Sequence, residues 1–256
     1  MLLAIDVGNT NVKLGVFGEN GTCEKLWKMS TGQRRTADET GMFIHSLFAQ
    51  CGYDSGELDA VIISSVVPDI MYSLTHGIQM YFDITPIVVS HRMKMDIKFS
   101  KGSVKEVGAD RLVNCVAARD EYDGAVIIVD YGTAIKYDVL SAEGEFVTGI
   151  TAPGIEISAD ALFQKAALIG KVELAIPPSV IVTNTTESIQ AGLLYGKIGE
   201  AEYIVNRLKK EIGLTDVKVI ATGGLSKTVA PGTDVFDVID PFLTLKGLKV
   251  LYDTNK

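Results

Sequence analysis

The chain has 256 residues, 47% of them hydrophobic and 22% charged, with a formal net charge of −8. This composition supports a sizeable core and excludes a disordered chain, and the negative charge argues against non-specific nucleic-acid binding. Three scattered cysteines (Cys23, Cys51, Cys115) and three scattered histidines (His45, His76, His91) make neither a disulfide framework nor a zinc spacing. With no signal-peptide pattern and no apolar run of membrane-spanning length, the expectation is a cytoplasmic protein with no membrane partner.

The first elements are short and apolar. "LLAID" (2–6) reads as a buried strand, "VKLGVFG" (12–18) as its hairpin partner, and a third strand follows near 23–30. Ile44, Leu47, Phe48 and Cys51 fall at i, i+3, i+4 and i+7, which predicts a helix over 38–51 closed by Gly52. "AVIISSVV" (60–67) is a strand, Ile70, Leu74, Ile78 and Tyr81 mark a helix, and "PIVVS" (86–90) is the next strand. A helix spans 110–122.

Near residue 125 the pattern restarts. "AVIIVDYGTAIKYDVL" (125–140) repeats the apolar strand, Asp-x-Gly-polar turn and returning strand of "LLAIDVGNTNVKLGVF". "FVTGITAPG" (146–154) completes the second antiparallel set. Helices are expected at 156–168 and 186–212, strands at 217–224 and 235–240, and a last helix at 242–253. Strands alternating with helices predict an α/β fold with mixed sheets. The echo between Asp6 and Asp130, half a chain apart, divides the protein into domains 1–117 and 118–256. No Pro-, Gly- or Ser-rich linker separates them, so abutting domains with a shared cleft are expected.

Four short segments carry candidate chemistry. In "DVGNTN", Gly8 permits close backbone approach, Asn9, Thr10 and Asn11 supply donors, Asp6 can hold a hydrated Mg²⁺, and Lys13 adds a positive charge. The same letters also make an ordinary hairpin turn. In "DYGTA", Thr133 can donate to a phosphate and Asp130 can hold a cation, again with a plain hairpin as the alternative. "ATGG" ends a strand in Gly223 and Gly224, which let a backbone pass flat against a ligand such as an adenine ring, or simply turn into a helix. In "VGADR", Asp110 lies at a helix N-terminus, either as an N-cap or as a base that receives a hydroxyl proton, with Arg111 beside it to grip a carboxylate.

"DVGNTN", "GADR", "DYGTA", "TAPG", "NTTESIQAGLLYG" and "ATGGLS" occur in the order found in type III pantothenate kinases, and nearly the whole chain resembles that family. The family belongs to the acetate kinase, sugar kinase, Hsp70 and actin superfamily. The resemblance implies two ribonuclease H-like domains with mixed sheets flanked by helices and an ATP cleft between them. It implies a homodimer with sites built from both chains, and phosphorylation of pantothenate using ATP, Mg²⁺ and a monovalent cation (K⁺ or NH₄⁺). By motif position, Asp6, Val7, Gly8, Asn9, Thr10, Asn11, Val12 and Lys13 line the ATP phosphates, and Thr133 contacts ATP. The resemblance further implies that Asp110 would be the catalytic base, that Gly108, Ala109, Asp110 and Arg111 would meet pantothenate with Phe99 in the place of a tyrosine, that Asp130 would hold the monovalent cation, and that Thr185 would reach a substrate across the dimer.

The departures from the family gather on the substrate side. Ser90, His91, Arg92, Met93 and Lys94 replace a glycine-rich loop, and segment 90–106 lacks an Asn-Pro pair. Ile135 and Lys136 replace two threonines, and Ile169-Gly170 replaces Leu-Pro. The second reading is therefore a divergent paralogue with another small-molecule substrate or a non-catalytic, nucleotide-binding role. No helix-turn-helix signal supports DNA binding.

Overall fold

The structure is a computed structural model that describes residues 1–99, 107–166, 168–213 and 215–256. Of segment 90–106, which departs from the family, residues 100–106 lie outside the described residues. The chain forms two compact units. The first holds Met1–Asp96, the stretch ending at Ala117, and Thr244–Lys256; the second holds Ala118–Leu243 with a short piece beginning at Ile97.

In the first unit, β1 (Leu2–Val7) is buried along its whole length. It pairs antiparallel with β2 (Asn11–Phe17), which pairs antiparallel with β3 (Cys23–Ser30). On its other edge β1 runs parallel to β4 (Ala60–Ser65), followed by the two-residue β5 (Ile87–Val88), giving the order β3-β2-β1-β4-β5. A strand covered on both sides reads as a near-continuous apolar run, as β1 and β4 do up to Asp6 and Ser64. One face of β1 (Leu3, Ile5, Val7) packs with Ile44 and Phe48 of α1 (Ala37–Gln50) and with Leu74 and Ile78 of α2 (Met71–Phe82). α1 starts at a capping box, in which the Thr36 side chain accepts from Glu39 N–H and the Glu39 carboxylate accepts from Thr36 N–H. Gly52, at φ +79°, follows its C-cap as the sequence predicts.

α3 (Ala109–Glu121) begins in the first unit, and α7 (Leu243–Asn255) joins it there. Thr244 donates a buried hydrogen bond to Asn114 Oδ1 (2.8 Å), and Leu245 packs on Gly15 of β2. Gly247 lies so close to the Val113 carbonyl that any side chain would collide with it. A boundary drawn at 117/118 leaves α7 with the second half of the chain, whereas its contacts group it with the first.

The second unit repeats the plan. β7 (Ala125–Tyr131), β8 (Ala134–Leu140) and β9 (Glu145–Pro153) form an antiparallel meander. β10 (Val217–Thr222) and β11 (Val238–Ile239) extend it in parallel beyond β7. With β6 (Lys98–Phe99) the order is β11-β10-β7-β8-β9-β6. α4 (Ile155–Lys165) and α5 (Thr185–Ile212) flank this sheet, the short α6 (Ser226–Val229) follows β10, and Leu194, Ile198, Ala201 and Val205 of α5 pack on Ile127, Val129, Ile135 and Tyr137. Among the described residues, no helix is long and apolar enough to cross a membrane. Two mixed sheets with the same central order, each flanked by helices, are the two ribonuclease H-like domains that the sequence implies.

Candidate active site

The first site element grows from the end of β1. Asp6 and Lys13 are cross-strand partners, and Lys13 Nζ stands 3.9 Å from Asp6 Oδ2 with both side chains largely buried. Asp6 is also in register with Ser64 on β4, so the two share a face of the sheet. Ser64 Oγ is buried and lacks a hydrogen-bond partner. Beyond Asp6 the chain reverses: Gly8 N–H donates to Asn11 O (3.0 Å). Thr31, just past β3, clamps the turn from outside. Its N–H donates to Thr10 O (3.0 Å) and its hydroxyl to Gly8 O (2.8 Å). Asn9, Thr10 and Asn11 are left exposed at the tip.

Asp110 belongs to the same edge of this unit. Val66, directly after β4, donates its N–H to Val7 O (3.1 Å), and its Cγ1 is 3.9 Å from where a Cβ on Gly108 would stand. Gly108 O accepts from the N–H groups of Arg111 and Leu112 (3.1 Å each), which starts α3. Asp110 is therefore the second residue of the helix and not its N-cap. Its Oδ1 accepts from Arg111 N–H (2.9 Å). A carboxylate in a first helical turn is held by free N–H groups and the helix dipole. The Asp6–Lys13 turn and the Gly108–Arg111 segment thus lie together where parallel β1 and β4 end, the customary ligand edge of such sheets.

In the second unit Asp130 and Lys136 repeat the pair. They are cross-strand partners on β7 and β8, and Lys136 Nζ stands 3.3 Å from Asp130 Oδ2. Thr222 on β10 is in register with Asp130, as Ser64 is with Asp6, and its Oγ1 is likewise buried with no hydrogen-bond partner. The turn at Gly132–Thr133 is fastened by Gly154 of the "TAPG" motif, whose N–H donates to Thr133 O (3.1 Å). Gly223 adopts φ +93°, and a Cβ there would stand 2.5 Å from Asp130 Oδ1 and 2.6 Å from Tyr131 backbone atoms. Gly223 is therefore a packing glycine, required where β10 closes on β7. Gly224 is exposed with open space around it, and of the two it is the one with a face available to a ligand.

The two acids differ in what they can hold. Asp6 is a buried carboxylate beside an unpartnered hydroxyl, with its lysine 3.9 Å away. This donor set fits a hydrated Mg²⁺. No cluster of three or more His, Cys, Asp or Glu occurs among the described residues, so waters and phosphate oxygens would fill the remaining positions, as that ion prefers. Asp130 does not fit the monovalent cation that the resemblance assigns to it. Its Oδ2 is ion-paired with Lys136 and its Oδ1 lies against the Gly223 backbone. A free cation there would share one carboxylate with an ammonium, and like charges so placed oppose each other.

Phe99 sits in the second unit, in register with Phe146 and with ring centroids 5.7 Å apart, whereas Gly108–Arg111 belong to the first. Thr185 is exposed as the first residue of α5, after the N-cap Asn184. Of the replaced loop, Lys94 is fastened to α7: its N–H donates to Asn255 Oδ1 (2.8 Å), and Asn255 Nδ2 donates to Lys94 O (2.9 Å).

Sequence reasoning passed over the rim of the first turn. A cavity of about 340 Å³ lies beside it, lined by Val12, Thr31, Gln33, Arg34, Arg35 and Asp69 among others. Arg35 is anchored by Ser30 O (3.2 Å) and lies over the Phe43 ring (5.6 Å), while Arg34 is exposed. The available signal was "TGQRRT", a short segment after a strand that carries a dibasic pair.

Three solved structures share the fold. A protein described as a 2-dehydro-3-deoxygalactonokinase from Sinorhizobium meliloti superposes with a TM-score of 0.59 at 14% identity, covering 98% of this chain and 96% of its own. One described as a Baf family transcriptional activator from Campylobacter jejuni gives 0.57 at 15% identity, with 98% and 97% covered. The activator of 2-hydroxyisocaproyl-CoA dehydratase from Clostridium difficile, with bound ADPNP, gives 0.50 at 12% identity, with 98% and 93% covered. At these identities the likeness is one of fold. The sequence model of type III pantothenate kinases matches residues 2–207, a span that takes in Asp6, Asp110, Asp130 and Thr185. The chain belongs to the type III pantothenate kinase family.

Proposed function

We propose that the protein transfers the γ-phosphoryl group of ATP to the hydroxyl of pantothenate, giving 4′-phosphopantothenate, the first step of coenzyme A synthesis. The observation that carries this reading is that Asp110 and the Asp6 turn, both inside the family match, stand together at one edge of the first unit through Val7, Val66 and Gly108. In this reading the exposed tip Asn9–Asn11 and Lys13 hold the ATP phosphates with hydrogen bonds and a positive charge. Asp6 would hold, through water, a magnesium ion bound with the nucleotide, and that ion would supply positive charge to the transferring phosphoryl group. Arg111 and the backbone of Gly108 and Ala109 orient pantothenate. Asp110 accepts the hydroxyl proton as that oxygen attacks the γ-phosphorus, the bond to the bridging oxygen breaks, and ADP leaves.

We assign the working form to a homodimer in which Thr185 serves a substrate of the partner copy. In support, Leu168, Val180 and Ile181 are 99%, 66% and 85% exposed along the stretch that leads to Thr185, and apolar side chains presented this way favour a protein contact. The deciding experiment is ADP release with pantothenate and Mg-ATP, run beside Asp110→Asn. Pantothenate-dependent turnover that disappears in the variant supports the kinase. ATP binding with no pantothenate-dependent turnover overturns it and favours a paralogue with another substrate.

A further inference from the structure

Lys136 enters no step of the reaction above. It stands directly across the hairpin from Asp130, where strand spacing alone brings its ammonium to the carboxylate, with no loop to reposition. The pair is tight and largely withdrawn from water: Nζ is 3.3 Å from Oδ2, and the side chains are 19% and 13% exposed. The other oxygen, Oδ1, is pressed against Gly223, whose positive φ and lack of Cβ permit that approach. A lysine ammonium is a compact monovalent charge with three donors, chemically an ammonium ion on a tether.

We infer that Lys136 is a built-in monovalent cation: its ammonium carries the charge at Asp130, and this hairpin neither needs nor binds a free potassium or ammonium ion. The consequence for turnover rests on the kinase reading, but the binding statement does not.

The test uses the full chain without nucleotide, at constant ionic strength, in potassium, sodium or tetramethylammonium chloride. Thermal unfolding and thallium-205 NMR are the readouts. The wild type is expected to melt at one temperature in all three salts and to show no saturable thallous-ion binding. Lys136→Thr, which empties the position, is expected to gain a saturable thallous site displaced by potassium and a potassium-dependent rise in melting temperature. A saturable potassium-displaceable site in the wild type overturns the inference, as does a folded Lys136→Thr that gains none. If Lys136→Thr does not fold, Lys136→Gln replaces it, and the wild-type measurement stands by itself. Where the chain turns over, a wild-type rate that falls tenfold when tetramethylammonium replaces potassium overturns it too. Absence of pantothenate turnover bears on the proposed function alone, because neither binding readout involves substrate.

Discussion

Lys13 faces Asp6 across the first hairpin, 3.9 Å from ammonium to carboxylate, at the base of a turn whose tip is solvent-exposed. Acid and lysine thereby stand together where a cation bound with phosphate would meet them. Asp6→Ala is expected to weaken Mg-ATP binding at least about tenfold in calorimetry, the usual effect of removing a charged contact. The circular dichroism spectrum should be retained. Unchanged affinity would count against the phosphate turn.

Thr31 touches the same turn only from outside, through two hydrogen bonds to its backbone carbonyls. Thr31→Val removes the one from its hydroxyl and keeps the shape. A loosened turn should raise the dissociation constant of Mg-ATP severalfold, with little change in the melting temperature. A large fall in stability with normal affinity would reassign Thr31 to folding alone.

Asp110→Asn keeps the size of the side chain and an oxygen for the Arg111 N–H while removing the base. The rate constant should fall by about 10²–10⁴, the range of general-base catalysis, with KM for pantothenate little altered. A raised KM at normal kcat would make Asp110 a binding group instead.

Gly223 and Gly224 are neighbours with opposite expectations. Gly223→Ala forces a side chain into a left-handed backbone and into Asp130 and Tyr131, at a cost of about 1–3 kcal/mol from the backbone alone. Gly224→Ala meets open space and should stay within about 0.5 kcal/mol of wild type. Urea midpoints separate the two.

Burial pushes the hydroxyls of Tyr131 and Tyr137 well above the ordinary tyrosine value, and the nearby charge of Glu200 adds to both. The folded state therefore holds these protons more tightly than the unfolded chain does. Stability from this source is complete below about pH 10, where unfolded tyrosines begin to ionise, and declines as pH rises beyond it. Tyr137→Phe should flatten that alkaline decline while losing about 1 kcal/mol at neutral pH, since its hydroxyl donates to Glu200 Oε1 (3.2 Å). Tyr131→Phe should flatten it with no neutral-pH loss, because that hydroxyl has no hydrogen-bond partner. Denaturant unfolding at pH 7 and above pH 10 checks both.

The hairpins were legible in the sequence because a buried strand, an acid-glycine turn and a returning strand leave a strong local pattern. Helix α1 was legible from its apolar spacing and from Gly52. Edges were less so. The strand expected at 60–67 stops at Ser65, one ladder bond before Pro68 opens a 3₁₀ turn. The strand expected at 235–240 shrinks to Val238–Ile239: Asp237 Oδ2 takes the Val219 N–H (2.7 Å), so a side chain makes the bond that a ladder would. At the site, the acids and glycines were visible as letters, but the separate roles of Gly223 and Gly224 depend on a backbone angle and a neighbour far along the chain. Thr31 and the Arg34–Arg35 rim were missed because they act on the turn from another strand end. Lys136 read as a missing threonine; its meaning emerged only with the register that sets it against Asp130.

The destination of α7 has a consequence for how the protein is made. Its contacts to Asn114, Val113 and Gly15 all lie in the first unit, yet the ribosome delivers it after the whole of the second. The second unit can complete its packing while the first still lacks a wall. A chain ending at Leu243 and released from the ribosome should therefore show a protease-resistant second unit and a first unit still open to cleavage, the reverse of the order in which their N-terminal strands appear.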